Sequence, residues 1–120
     1  DVHMSRGLGD VYKRQATCVR IPVLVSHSES VNIEFENSYS LEQIREALNN
    51  ADGCRVIDKR ENGGYSTPIE ATGSDETFIS RIRDDKTKKN SINLWIGSDN
   101  LLRGAALNSV EIAETIMKAN

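Results

Sequence analysis

The residues best suited to chemistry crowd into the segment CVRIPVLVSHSES, which holds Cys18, Arg20, His27, Ser28 and Glu29. Arg20 stands in an otherwise apolar run. A guanidinium there needs an anionic partner, because burying an unpaired charge is costly. Its planar fork matches a carboxylate or phosphate through two parallel hydrogen bonds. The partner is either a carboxylate of the protein, giving a structural salt bridge, or an anionic ligand. His27 lies between two serines, in a partly wet setting that suits an imidazole for proton exchange near neutral pH. The other reading is a histidine hydrogen-bonded at the surface for structure alone. Arg20 and His27 are seven positions apart, an odd spacing that puts two side chains on opposite faces of a regular strand. A shared site therefore requires a bulge or turn between Leu24 and Ser28.

A second cluster lies in WIGSDNLLRGAALNSVEIAE. Asn100 offers an amide donor and an acceptor where a strand gives way to a helix. Gly97 and Gly104, with Ala105 and Ala106, leave room for a close approach by backbone or a flat ligand. Capping and tight packing would use the same residues. Other signals are weaker. Cys18 among Val and Ile, and Cys54 after Gly53, read as inert, partly apolar thiols rather than nucleophiles. Two cysteines and two histidines without CxxC or HxxxH spacing give no metal site. Gly7 and Gly9 begin a dinucleotide fingerprint that fails at Tyr12. Lys86, Lys88 and Lys89 belong to a solvated turn.

The elements that must position these residues follow from periodicity. Asp1 to Gln15 shows none and reads as a non-native or disordered leader, leaving 16–120 as the structured unit. Thr17 to Val25 is rich in β-branched residues and predicts a strand, edged or broken at Pro22. Val31, Ile33 and Phe35 alternate with polar neighbours, the pattern of a half-buried strand. Ser40 with Gln43 forms a capping box before the helical spacing of Leu41, Ile44, Ala47, Leu48 and Ala51, and Gly53 is a stop. A short strand is expected over Cys54 to Asp58, and ENGGYSTP is a loop. Strands over Thr77 to Arg83 and Ser91 to Gly97 flank the turn DDKTKKN. One long helix is expected from Leu101 to Ala119, capped by Ser98 or Asp99. The order β-β-α-β-β-β-α predicts an α+β fold, a largely antiparallel or mixed sheet with helices packed on one side.

Bulk properties narrow the function class. The 120 residues are 38% hydrophobic, enough for one modest core. A net charge of −3 argues against nucleic acid or an anionic membrane as the main partner. No apolar run approaches the roughly 20 residues of a membrane span. Two cysteines make no disulfide framework, so a cytoplasmic location is expected.

Taken together, CVRIPVLVSHSESVN, GGYSTPIEATGSDETFISRIR and NLWIGSDNLLRGAALNSVEIAE resemble the closing segments of bacterial aspartate-semialdehyde dehydrogenases. The resemblance runs from about Ala16 to the end, through three motifs in the right order. It implies the C-terminal part of a glyceraldehyde-3-phosphate-dehydrogenase-like catalytic and dimerisation domain, closed by a cofactor-contacting helix. It implies reduction of β-aspartyl phosphate with NADPH to aspartate semialdehyde and phosphate, on the way to lysine, threonine and methionine. A cysteine thiolate forms the reactive thioester in that family, and neither Cys18 nor Cys54 matches its motif. By resemblance Arg20 grips the substrate carboxylate, His27 is the general acid and base, and Asn100 contacts the nicotinamide end of NADP. A homodimer, and an N-terminal half carrying the nucleophile and the glycine-rich loop, are implied partners. The fragment alone is then expected to be inactive. The alternative is a small non-catalytic module whose Arg20 and His27 bind an anionic metabolite or serve assembly.

Overall fold

The computed structural model describes residues 17–119. Its frame is a four-stranded mixed sheet. The strands are β1 (His27–Glu34), β2 (Cys54–Val56), β3 (Thr77–Asp84) and β4 (Ser91–Ser98), arranged β1-β4-β3-β2. β1 and β3 run antiparallel to β4, whereas β2 runs parallel to β3. The parallel pair needs a crossover, and residues 57–76 supply it.

Alternation along β1 and β4 divides the sheet into two faces. Val31 pairs with Leu94 and Ile33 with Ile92, so their side chains share one face. Ile79, Ile82, Ile92 and Leu94 form the buried centre. Helix α1 (Leu41–Asn49) covers it, with Leu41, Ile44 and Leu48 packed down as their spacing predicts. The Ser40 hydroxyl accepts from Gln43 N at 3.2 Å, and Gln43 Oε1 accepts from Ser40 N at 3.0 Å. A cap of this kind stabilises a helix by about 1 kcal/mol. After Asn50 the chain reverses at Gly53, whose φ of +72° is left-handed. The Arg103 guanidinium fills the space a Cβ at Gly53 would occupy. The left-handed dihedral favours glycine there, and a Cβ would also oblige the guanidinium to shift.

The opposite face is partly covered by a one-turn helix, α2 (Pro68–Ala71), which starts at the last residue of the loop read over ENGGYSTP. Its signature was present in the text: Thr67 and Glu70 cap each other, and proline takes the first turn. Ala71 packs under Gly97, and Trp95 Nε1 donates to Ser66 O at 3.2 Å. Ser66 and Ser80 are buried as a pair, their hydroxyls 2.9 Å apart. Buried hydroxyls that satisfy one another avoid the penalty of an unmade hydrogen bond.

β3 is irregular where its register against β4 shifts between Ser80 and Arg83. Arg81 adopts φ +56° at this bulge. Its amide donates to Asp58 Oδ1 at 2.8 Å, while the other carboxylate oxygen of Asp58 pairs with Arg45 of α1. Asp58 is 5% exposed, so one buried carboxylate joins helix, crossover and bulge.

Two predicted elements differ. Thr17 to Val25 is not a strand. Among the described residues its backbone makes one bond, Val23 N to Ile21 O at 2.9 Å. Val19 is 76% exposed and Leu24 fully so. β-branched composition favours a pleated surface only where a neighbouring strand exists to pair with, and none of the described strands lies alongside. Nor is 101–119 one helix. Arg103, Gly104 and Ala105 leave helical geometry, with Gly104 at φ +77°, and helix α3 spans only Leu107–Ala119. The glycine takes a left-handed conformation that breaks the ladder. Asp99, the expected cap, accepts Leu101 N on its carboxylate at 2.8 Å and Arg103 N on its carbonyl at 2.8 Å.

Candidate functional site

The ends of β1 and β4 meet at a polar junction. Ser26 enters β1 with φ +83°, an uncommon conformation for a residue with a Cβ. It is held from both sides. Its N–H donates to Asn100 Oδ1 at 2.7 Å, and its hydroxyl donates to Ser98 O at 2.7 Å. Ser26 is 7% exposed, so these bonds are largely shielded from water. The next residue, His27, pairs in register with Ser98. Ser26 thus marks the point where the irregular lead-in carrying Arg20 gives way to β1.

The His27 side chain is 52% exposed, and its Nε2 lies 3.7 Å from Glu29 Oε1 on the same face of β1. That carboxylate is itself solvated, so the attraction is weak. Asn100 is exposed at the neighbouring strand end. Its carbonyl oxygen is engaged by Ser26, while its Nδ2 makes no hydrogen bond to another described residue. Arg20 is exposed on the irregular lead-in and makes no hydrogen bond or ion pair with another described residue. The fold thus brings together the His27 and Asn100 segments, with Arg20 on the exposed lead-in that precedes Ser26.

Two residues of the junction, Asp99 and Ser26, were not read from the sequence as site-forming, and Ser28 was named in the chemical cluster without a role of its own. Asp99 is buried, taking Gly73 N at 2.7 Å and Leu101 N at 2.8 Å on its two oxygens. These backbone donors, Gly73 first, hold its carboxyl below the usual value against the opposing effect of burial. Ser26 gave no signal, since positive φ is rarely announced by serine. Ser28 lies opposite Gly97, and its hydroxyl is buried with no hydrogen-bond partner among the described residues. An unpaired buried hydroxyl is uncommon and disfavoured by about 1–3 kcal/mol. Cys18 is exposed and Cys54 is half-buried beside the core. No cluster of three or more metal-ligating side chains occurs among the described residues.

An open groove of about 460 Å³ crosses the α2 face, lined by Ser30, Tyr65, Thr67, Arg81, Arg83 and Trp95 among others. None of His27, Arg20 or Asn100 lines it. No helix among the described residues is long and apolar enough to cross a membrane.

Comparison with known proteins identifies the family. The family model described as "Semialdehyde dehydrogenase, dimerisation domain" matches residues 3–103. The aspartate-semialdehyde dehydrogenase of Rickettsia bellii is 47% identical over 117 residues, covering 98% of this chain and 35% of that protein. The Aquifex aeolicus enzyme is 48% identical over 106 residues, covering 88% and 31%. Among solved structures, Vibrio cholerae aspartate semialdehyde dehydrogenase II complexed with ASA superposes with a TM-score of 0.79 at 35% identity. That match covers 85% of this chain and 30% of the Vibrio chain. The chain spans about a third of the length of the curated relatives it matches. Its motifs, its mixed sheet and the family match agree: the chain belongs to the semialdehyde dehydrogenase family and corresponds to a C-terminal portion of an aspartate-semialdehyde dehydrogenase.

Proposed function

We propose that this chain, continuous with the N-terminal part its relatives carry, serves the NADPH-dependent reduction of β-aspartyl phosphate to aspartate semialdehyde and phosphate. The observation that carries the reading is 47% identity over 117 residues to a curated enzyme of that name. The spatial meeting of the His27 and Asn100 segments, far apart in sequence, supports it.

His27 exchanges protons with the substrate's reacting oxygens. Its ring is half-exposed and so within reach of a bound substrate. Arg20 holds the substrate carboxylate through its fork. Its present exposure leaves all five donors open to an anion. The nicotinamide cofactor, when bound, supplies the hydride. The residues fit its carboxamide end in one respect, because the Asn100 Nδ2 has no partner among the described residues. The nucleophilic thiol comes from outside this chain, since Cys18 and Cys54 match no nucleophile motif. The apolar side chains of Val19, Leu24, Ile112 and Met117 are exposed, as surfaces that pack on the rest of the polypeptide or on a second subunit would be. The working form is a cytoplasmic homodimer.

The test is phosphate-dependent reduction of NADP with aspartate semialdehyde. The chain alone is expected to be inactive, and mixing with a separately produced N-terminal part is expected to restore turnover. Turnover by the chain alone that survives removal of both Cys18 and Cys54 would overturn the reading, because the thioester could not form.

A further inference from the structure

We infer that Asn100 acts as a positioning residue for His27, through Ser26, in addition to any contact it makes with the cofactor. This rests on the proposed acid–base role of His27. The geometry is specific. Asn100 Oδ1 accepts from Ser26 N at 2.7 Å, and Ser98 O accepts from the Ser26 hydroxyl at 2.7 Å. Ser26 is therefore clamped by two residues of the β4–α3 junction, at a dihedral, φ +83°, that serine does not adopt without support. The ψ and φ that aim the His27 ring follow directly from where Ser26 ends. β1 holds His27 from its other side, through pairing with Ser98.

Asn100 thereby divides its amide. The oxygen faces the protein and fixes the entry to β1, and the nitrogen has no partner among the described residues. A cofactor drawing on Nδ2 would hold the amide plane still, and the same plane carries the acceptor that fixes Ser26. Cofactor contact and histidine orientation are coupled through one rigid group. Asp99 steadies that group from the preceding position, with its carboxylate bound to Gly73 N and Leu101 N.

The experiment uses a complete enzyme in which the N-terminal part of the Rickettsia bellii relative precedes this chain. Asn100→Leu removes both functions. It is expected to lower kcat by about 10- to 100-fold, the effect of a misplaced acid–base group, with the KM for aspartate semialdehyde little changed and the KM for NADP raised. Hydrogen exchange at the Ser26 amide should accelerate by roughly tenfold as its acceptor is lost. Asn100→Asp keeps the acceptor oxygen and loses the Nδ2 donor. It should restore slow exchange at Ser26 and most of the kcat, while the KM for NADP stays high. Ser26→Pro, which lacks the N–H and cannot reach φ +83°, should reproduce the kcat loss without raising the KM for NADP. Unchanged exchange at Ser26 in Asn100→Leu would overturn the inference, as would Asn100→Asp with slow exchange but no recovery of kcat. Full activity in His27→Asn would instead sink the acid–base reading itself, a separate outcome.

Discussion

The sheet beneath α1 and the two ends of the chain use similar residues to opposite effect. In the sheet, Ile82 and Ile92 are fully buried and each is matched by a neighbour across a strand or from the helix. At the ends, Val19 and Leu24 before β1, and Ile112 and Met117 on α3, face outward. α3 is moored by one ion pair, Arg103 Nη1 to Glu111 Oε2 at 2.8 Å, with Arg103 Nε also donating to Asp75 O. Apolar composition therefore does not by itself say where a core lies. It says where surface must be covered, and the sheet covers its own while the ends do not.

That contrast can be broken most severely at the centre. Ile82→Ala leaves a void among residues with no freedom to collapse and should destabilise the fold by about 4 kcal/mol, read from the urea midpoint. A loss below about 1 kcal/mol would mean the centre is no better packed than the ends. Asp58→Ala should follow at about 3 kcal/mol, since it strands the Arg45 guanidinium and frees the bulge amide of Arg81. Its measurement is the same midpoint, with exchange at the Arg81 amide as the local report.

Asp99 gives a pH-dependent contrast. Its carboxyl is held below the ordinary value of 3.8, chiefly by the Gly73 amide. A depressed carboxylate contributes stability that is fully present above the unfolded value and is lost as pH falls through the folded one. The urea midpoint should therefore decline below pH 3.8, and Asp99→Asn should flatten that decline. An unaltered acid limb in the variant would exclude the residue as its source. The smallest effect belongs to the ends: Ile112→Ser or Leu24→Ser should change the stability of the chain alone by less than about 0.5 kcal/mol. The same changes should weaken reassembly with the N-terminal part, measured by recovered turnover. Strong destabilisation of the chain alone would show that these side chains already have partners.

The same contrast explains what the sequence disclosed. Periodic segments that bury one face within the chain were legible: the capped helix from Ser40 and both long strands appear where their spacing put them, and the strand read over Val31 to Glu36 is present but runs earlier, from His27 to Glu34. Thr17 to Val25 was misread because a strand is defined by pairing, and its composition carries no information about a partner. The helix from Leu101 was read through Gly104 because one glycine is tolerated in a helical pattern. The structure uses it instead as a left-handed break. At the site, His27 and Asn100 were visible as residue types with chemical capacity. Their meeting was not, because it depends on a positive φ at Ser26 and on register across β1 and β4, neither of which is written locally. Asp58 escaped notice for the same reason: its partners, Arg45 and Arg81, lie in two other elements.

The pairing of β1 with β4 also sets an order of events during synthesis. Ser26 and Ser98 are 72 positions apart, so β1 leaves the ribosome well before its hydrogen-bonding partner exists. Local units, such as the capped α1 and the β3–β4 hairpin, can form first, whereas closing so long a loop is slow. The junction that clamps His27 is thus the last part of the sheet to be fixed. A ribosome stalled anywhere before Ser98 would hold an exposed, unpaired β1, the species on which chaperones or aggregation would act.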